Sequence, residues 1–177
     1  FKTYGLPQIE NIGAYIKYLW SLEHREYQQF GNDLVDKVIK KLNISSIETL
    51  EYIIINKSWW DTVDFTASNL VGPFFKKFPE LIIPTTEKWM KSNNMWLHRT
   101  CLLFQLKYKK STDFDLLKSC IQELMHSKEF FIRKAIGWSL REYSKTNPND
   151  VENFIKSNIM TLSNLSIREG MKIINKN

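Results

Sequence analysis

The stretch "NKSWWDTVDF", residues 56–65, combines two adjacent tryptophans with two aspartates. Trp60 and Asp64 are four residues apart, so a helix over this stretch places them on one face. An indole beside a carboxylate is a candidate for a site that both binds a ligand and acts on it. Neighbouring residues on a helix point about 100° apart, so one packing face cannot take both tryptophans. We therefore interpret Trp59 as a core residue and Trp60 as a candidate site residue.

Further candidates follow at a regular distance along the chain. Arg99 lies 39 residues after Trp60, and Trp138 lies 39 residues after Arg99. If the chain repeats with a slightly shorter period, these positions form a diagonal of Trp, Arg and Trp across adjacent helices. Lys134 and Arg141 lie four before and three after Trp138, on the same helix face.

Each candidate also has a structural alternative. A tryptophan at helical spacing is usually core, and Asp64 can be solvated or paired one turn away. Arg99 can bridge neighbouring helices through a carboxylate, and Lys134 and Arg141 can be solvated surface. Gly137 costs a helix about 1 kcal/mol against alanine, and would leave room for another backbone to come close. Spacing alone thus indicates a basic helical protein with a candidate site on its inner face.

The elements that would position these residues repeat themselves. Helical periodicity runs nearly throughout, and five stretches stack at an offset of about 35 to 37 residues: SLEHREYQQF, KSWWDTVDFT, NMWLHRTCLL, EFFIRKAIGW and NLSIREGMKI. Self-similarity at this period, with two helices in each unit, is typical of an α-solenoid. No strand pattern is present. We predict an all-α fold, an α-solenoid with a concave basic face, as a single domain over residues 1–177.

The composition of the chain limits the classes of protein to which it can belong. The chain has 177 residues, 43% hydrophobic and 25% charged, which is globular. No apolar run approaches the roughly 20 residues that a bilayer span needs, so no membrane span is predicted. A net charge of +6 permits an anionic partner such as nucleic acid or a membrane surface, and of the two we expect nucleic acid and no membrane. Cys101 and Cys120 are interpreted as buried thiols, and the three scattered histidines predict no metal site.

Three stretches, KSWWDTVD, MWLHRTCLLFQLKYK and KEFFIRKAIGWSLREYSKTNP, closely resemble the DNA alkylation repair enzyme family, the AlkD-like DNA glycosylases built of HEAT-like repeats. LWSLEHREYQQF and LSNLSIREGMK extend the resemblance over roughly residues 15–172. Members of that family carry further N-terminal helices that help to grip DNA. The resemblance therefore implies that such helices are missing ahead of Phe1. His98 departs from the family, which has a longer polar or basic side chain there.

The resemblance implies a monofunctional DNA glycosylase that excises N3-methyladenine and N7-methylguanine from double-stranded DNA, without a metal or organic cofactor. Carried over by position, Asp64 would be the catalytic carboxylate, and the lesion nucleotide would be contacted by Trp60 and Trp138. Arg99 would hold the DNA backbone beside Asp64. We expect a monomer, located in the cytoplasm of a prokaryote or the nucleus of a eukaryote.

Physical chemistry supports this implied set. Alkylation at N3 or N7 gives the purine a positive charge, so the base leaves without a general acid, unlike ordinary glycoside hydrolysis. A fixed carboxylate such as Asp64 can stabilise the oxocarbenium-like sugar and orient the attacking water. Each cation–π contact with an indole is worth about 0.5 to 2 kcal/mol, which a neutral purine does not gain. Lys134 and Arg141, with Arg99, would meet phosphates and make the affinity depend on salt.

Two rival functions stay open. A non-catalytic relative could bind damaged or branched DNA through the same basic face, although such a binder has no use for a carboxylate near phosphates. Many α-solenoids bind peptides instead, and then the lysines and arginines should scatter rather than line the inner helices. Equal affinity for intact and damaged DNA without base release would favour the first rival.

Overall fold

The computed structural model describes residues 5–176, and every regular element within them is helical. The predicted all-α fold is therefore confirmed. The chain forms two compact units, residues 1–88 and 89–177. The division falls inside a helix, immediately after Lys88.

The first unit consists of short helices that pack in alternation. They are α1 (Ile12–Ser21), α2 (Glu26–Val38), α3 (Ile47–Ile55), α4 (Trp60–Phe65), α5 (Gly72–Lys77) and α6 (Ile82–Met90). Helix α1 contacts α2 and α3, while α2 contacts α4. Helices α1 to α4 thus each contact both the partner in their own pair and the corresponding helix of the other pair, as the predicted solenoid requires.

The second unit is helical as well. Its helices are α7 (Met95–Leu103), α8 (Phe114–Leu124), α9 (Phe130–Ser144), α10 (Pro148–Ser157) and α11 (Asn164–Gly170). Helix α9 contacts α7 before it and α11 after it, and it also contacts α10. The five stacked stretches of the sequence each contain the start of one helix: α2, α4, α7, α9 and α11.

Polar contacts between neighbouring pairs recur at the period that the sequence predicts. The Trp20 indole donates from Nε1 to the carbonyl of Asn56, 36 residues later, at 2.9 Å. Lys77 Nζ donates to the carbonyl of Leu42, 35 residues earlier, at 2.6 Å. These separations match the offset of 35 to 37 residues because each side chain reaches the equivalent position one pair away.

Apolar side chains fill the space between the helices of each unit. Phe74 and Phe75 of α5 have no exposed surface, and neither does Trp89 of α6. Trp20 and Trp89 are the two tryptophans that serve the core, at 2% and 0% exposure. The other four are at least partly exposed: Trp59, Trp60, Trp96 and Trp138.

Helix α4 passes without a break into a π-helical segment, Thr66–Val71, and then into α5. Pro73 in the first turn of α5 has no N–H, and its ring would collide with the carbonyl four residues back in a regular α-helix. The wider π turn lies where that collision would occur. Such turns often lie next to functional sites, and this one begins two residues after Asp64.

Candidate functional site

Trp59 lies outside the core, so its interpretation as a core residue is wrong. It has an extended backbone at the N-cap of α4 (φ −139°, ψ 148°), and the helix begins at Trp60. Its side chain is therefore directed by the loop, not by a buried helix face, and the residue is 50% exposed. The Arg25 guanidinium lies 5.4 Å from the Trp59 ring and forms an ion pair with Asp61.

Trp60 and Asp64 occupy one face of α4, as the spacing predicts. Trp60 is 41% exposed, while Asp64 is half-buried. The carbonyl of Asp64 accepts a hydrogen bond from Ser68 Oγ in the π segment at 2.9 Å. An exposed indole thus lies one turn before a partly shielded carboxylate.

A buried polar network fixes α4 against α2. Asn32 of α2 donates from Nδ2 to the carbonyl of Thr62 at 3.4 Å. Its Oδ1 accepts from Thr66 Oγ1 at 3.3 Å, and Thr66 Oγ1 also lies 2.8 Å from the Thr62 carbonyl. All three side chains are buried. Because buried polar groups hold their partners firmly, this network fixes the backbone that carries Trp60 and Asp64.

In the second unit, Arg99 is almost fully buried, at 1% exposure. Its Nη1 donates to the carbonyl of Phe131, and its guanidinium carbon lies 5.7 Å from the rings of both Phe131 and Trp138. The structure thus brings Arg99 and Trp138 together. Arg99 thus packs against two aromatic rings. Its contact with a DNA backbone stays a prediction.

Trp138 is half-buried on α9 and has a second cationic neighbour. The guanidinium carbon of Arg141 lies 5.9 Å from its ring. Two guanidinium groups therefore already lie within cation–π distance of this indole. Trp60, by contrast, keeps two-fifths of its surface exposed.

Lys134 and Arg141 are held by a carboxylate that the sequence analysis missed. Lys134 Nζ lies 2.6 Å from Glu169 Oε1, and Arg141 Nη1 lies 2.7 Å from Glu169 Oε2. The Lys134 hydrogen bond holds the pKa of the Glu169 carboxyl below its ordinary value, and Arg141 lowers that pKa further. A signal for this contact was available, since Glu169 lies 35 residues after Lys134, at the repeat offset.

Gly137 allows this contact to form. A Cβ on Gly137 would lie 2.5 Å from Glu169 Cβ and 3.2 Å from the backbone oxygen of Ser166. Another backbone does approach here, as predicted, and it belongs to α11. Ser166 Oγ also donates to the carbonyl of Arg133 on α9 at 2.9 Å. Gly137 and Ser166 are small where α9 and α11 meet, so the Glu169 carboxylate comes within reach of α9.

The predicted site residues form three groups within the two units. Trp60 and Asp64 share α4, Arg99 and Trp138 lie together, and Lys134 and Arg141 meet at Glu169. The predicted diagonal from Trp60 to Arg99 runs from one unit to the other and stays a prediction.

Residues 5–176 contain no group of three His, Cys, Asp or Glu side chains arranged to hold a metal ion. No helix among them is long and apolar enough to cross a bilayer. Cys101 and Cys120 are buried, as predicted. Burial raises the pKa of the Cys120 thiol to about 11 and raises that of Cys101 as well, so both are protonated at neutral pH.

Comparisons with known proteins agree on one family. The family model for the DNA alkylation repair enzyme matches residues 1–174. A solved structure from Enterococcus faecalis, described as a predicted DNA alkylation repair enzyme, is 33% identical to this chain. It superposes with a TM-score of 0.88 over 97% of this chain and 79% of its own. No curated protein matches the chain.

Proposed function

The chain belongs to the DNA alkylation repair enzyme family, and from that premise we propose that it is a monofunctional DNA glycosylase. Its substrate would be double-stranded DNA that carries a cationic N3- or N7-alkylated purine. The observation that carries the proposal is the exposed Trp60 indole one helical turn before the half-buried Asp64 carboxylate.

The proposed reaction is hydrolysis at the sugar. The N-glycosidic bond breaks, and its electron pair leaves with the purine, whose positive charge is thereby neutralised. Water adds at C1′ and releases its second proton, either to Asp64 or to solvent, leaving an abasic site. Asp64 stabilises the positive charge that develops on the sugar and orients the water. No general acid is needed because the alkylated base is already a good leaving group.

Two tryptophans would have different tasks in this proposal. Trp60 would face the cationic base, because its indole is exposed and a cation gains about 0.5 to 2 kcal/mol on such a face. Trp138 would contact the rest of the lesion nucleotide, since two guanidinium groups already lie near its ring. Lesions would therefore be selected by charge, without a closely fitting pocket.

The cations of the second unit would hold the DNA backbone. Lys134 and Arg141 each expose about a quarter of their side chain, 27% and 26%. Arg99 would contribute positive potential beside Trp138 from its buried position. Phosphate contacts of this kind are independent of sequence and weaken with salt.

The first variant to test is Asp64→Asn, which removes the charge and keeps the shape. With a duplex that contains one N7-methylguanine, we expect the parent to release free base. The variant should release at least about a hundred-fold less, as is common when a preorganised charge is removed from a transition state. Its affinity for DNA should stay equal or rise.

Asp115→Asn is the matched control, because Asp115 is an exposed aspartate paired with Lys118 on α8. It should release base at the parental rate. If Asp64→Asn released base at the parental rate, Asp64 would have no catalytic role. If all three proteins bind DNA and none of them releases base, the result would favour a non-catalytic DNA-binding protein.

A further inference from the structure

Glu169 is unusual among the carboxylates of the second unit because it is both buried and shared between two cations. Its side chain is 11% exposed, and its two oxygens accept separately from Lys134 and Arg141, at 2.6 and 2.7 Å. Other ion pairs of this unit, such as Glu152 with Lys156, are more exposed and join residues of one helix. Burial of a carboxylate is unfavourable unless it is paired and hydrogen-bonded, and Lys134 and Arg141 supply these partners.

The shared carboxylate fixes where two cationic groups lie on α9. Lys134 and Arg141 are seven residues apart, two turns of the helix, and Glu169 draws both toward one point from α11. Gly137 lies between them and admits the approach of α11. Glu169 thereby holds two long, flexible side chains in one arrangement before any ligand arrives.

This cluster keeps capacity for an anion. Two cations and one carboxylate have a net charge of +1. Lysine carries three N–H donors and arginine five, and the Glu169 carboxylate can accept only part of them. About a quarter of each cationic side chain is exposed. The N–H donors that Glu169 does not engage therefore leave the two cations able to bind an anion such as a phosphate.

The position of the cluster connects it to the proposed reaction. The Arg141 guanidinium carbon, which Glu169 helps to hold, lies 5.9 Å from the Trp138 ring. A phosphate bound here would belong to a nucleotide at or next to the one that Trp138 contacts. Its placement would then affect how the sugar of that nucleotide is held during the proposed hydrolysis.

We propose that Lys134, Arg141 and Glu169 form a phosphate seat beside Trp138, in which Glu169 is a positioning residue that touches neither base nor phosphate. This inference rests on the proposed glycosylase function and adds Glu169 to it. Removal of the Glu169 charge raises the net positive charge of the seat. It also frees the Lys134 and Arg141 side chains from the arrangement in which Glu169 holds them. Binding and chemistry are therefore expected to change in opposite directions.

The first arm of the test measures single-turnover release of N7-methylguanine from a duplex at saturating enzyme, with Glu169→Gln. We expect release about ten-fold slower or more, because small misplacements of a bound substrate are costly, while DNA affinity is equal or higher. Glu152→Gln changes the net charge by the same amount at a partly exposed ion pair within one helix and should behave as the parent. Circular dichroism and active-enzyme titration correct each rate for the folded fraction. A parental rate from Glu169→Gln would overturn the positioning role.

Glu169→Asp separates geometry from charge. It keeps the negative charge but withdraws the carboxylate by one methylene, so it cannot reach both cations as Glu169 does. We expect slow release from this variant as well. Full activity of Glu169→Asp would show that charge alone matters and would also overturn the positioning role.

The second arm measures DNA binding against salt and does not require base release. Lys134→Met should reduce the slope of log affinity against log salt by about 0.9, the value for one lost phosphate contact. Lys156→Met, at an exposed position with 65% of its side chain accessible, should leave the slope unchanged. An unchanged slope for Lys134→Met would overturn the phosphate seat. If the parent releases no base, the glycosylase proposal fails, and this binding arm still decides whether the seat exists.

Discussion

Trp59 and Trp60 are adjacent and similarly exposed, at 50% and 41%, yet their surroundings differ. Trp59 lies before the helix under the Arg25 guanidinium, which Asp61 holds in place. Trp60 is the first residue of α4 and shares a face with Asp64. The pair therefore provides an internal comparison, in which one indole is proposed to bind the lesion and the other is not.

This comparison gives a prediction for Trp60→Leu. The variant should lower release of N7-methylguanine by roughly 2- to 30-fold, the equivalent of one lost cation–π contact of about 0.5 to 2 kcal/mol. Trp59→Leu is the matched control and should leave the rate of the chemical step unchanged. Single-turnover assays on the same duplex measure both. Equal losses from the two variants would contradict the separate roles.

The surroundings of some of these residues could be predicted from the sequence, and those of others could not. The shared face of Trp60 and Asp64 follows from helical spacing alone, because residues four positions apart on a helix lie on the same face. The place of Trp59 does not follow from helical spacing, because α4 begins one residue after it, at Trp60. Glu169 was missed because a long-range ion pair leaves no local pattern, and only the repeat offset pointed to it.

At the scale of elements, the close crossing of α9 and α11 determines the geometry around Trp138. Gly137 lies at this crossing, where an added Cβ would meet Glu169 Cβ at 2.5 Å. The neighbouring atom belongs to the rigid start of a side chain and cannot rotate away. The helices would have to separate, and Glu169 would move with α11.

Gly137→Ala should therefore destabilise the protein although alanine is the better helix former. Overpacking costs about 1 to 3 kcal/mol, and at a contact of 2.5 Å with a Cβ atom we expect the upper part of this range, which exceeds the gain of about 1 kcal/mol in helix propensity. Urea unfolding followed by circular dichroism measures the difference. Gly13→Ala is the control, because its added Cβ would meet only the Thr49 side-chain oxygen, at 3.2 Å. A more stable Gly137→Ala would mean that the two helices can separate at no cost.

The existence and type of the helices were predictable because their apolar periodicity is strong. All five stacked stretches contain a helix start, and they lie in the series α2, α4, α7, α9 and α11. The π segment was not predictable in the same way. It depends on how the turn before Pro73 adapts to a missing N–H, and the apolar pattern of the stretch does not report that adjustment.

At the scale of the whole molecule, Glu169 also links stability to pH. The Lys134 hydrogen bond holds the pKa of the Glu169 carboxyl below its ordinary value, with Arg141 and Lys172 adding to the effect. The carboxyl thus contributes stability above its unfolded pKa of about 4.3. That contribution is lost as the pH falls through the lowered folded-state pKa.

We therefore expect the free energy of unfolding of Glu169→Gln to fall below that of the parent at pH 7. The gap should narrow as the pH is lowered from about 5 toward 3, because the parental carboxyl becomes protonated too. Urea midpoints at several pH values measure the gap. A gap that stays constant over this range would show that Glu169 contributes by packing and not by charge.

The central claim for the molecule is that it hydrolyses the glycosidic bond of a cationic alkylated purine in duplex DNA through Asp64. The most direct measurement is the time course of free base from two duplexes that differ only in N7-methylguanine against guanine at one position, with the parent and with Asp64→Asn. The account predicts release of N7-methylguanine alone, by the parent alone. Binding of both duplexes without release, or undiminished release by Asp64→Asn, would contradict it.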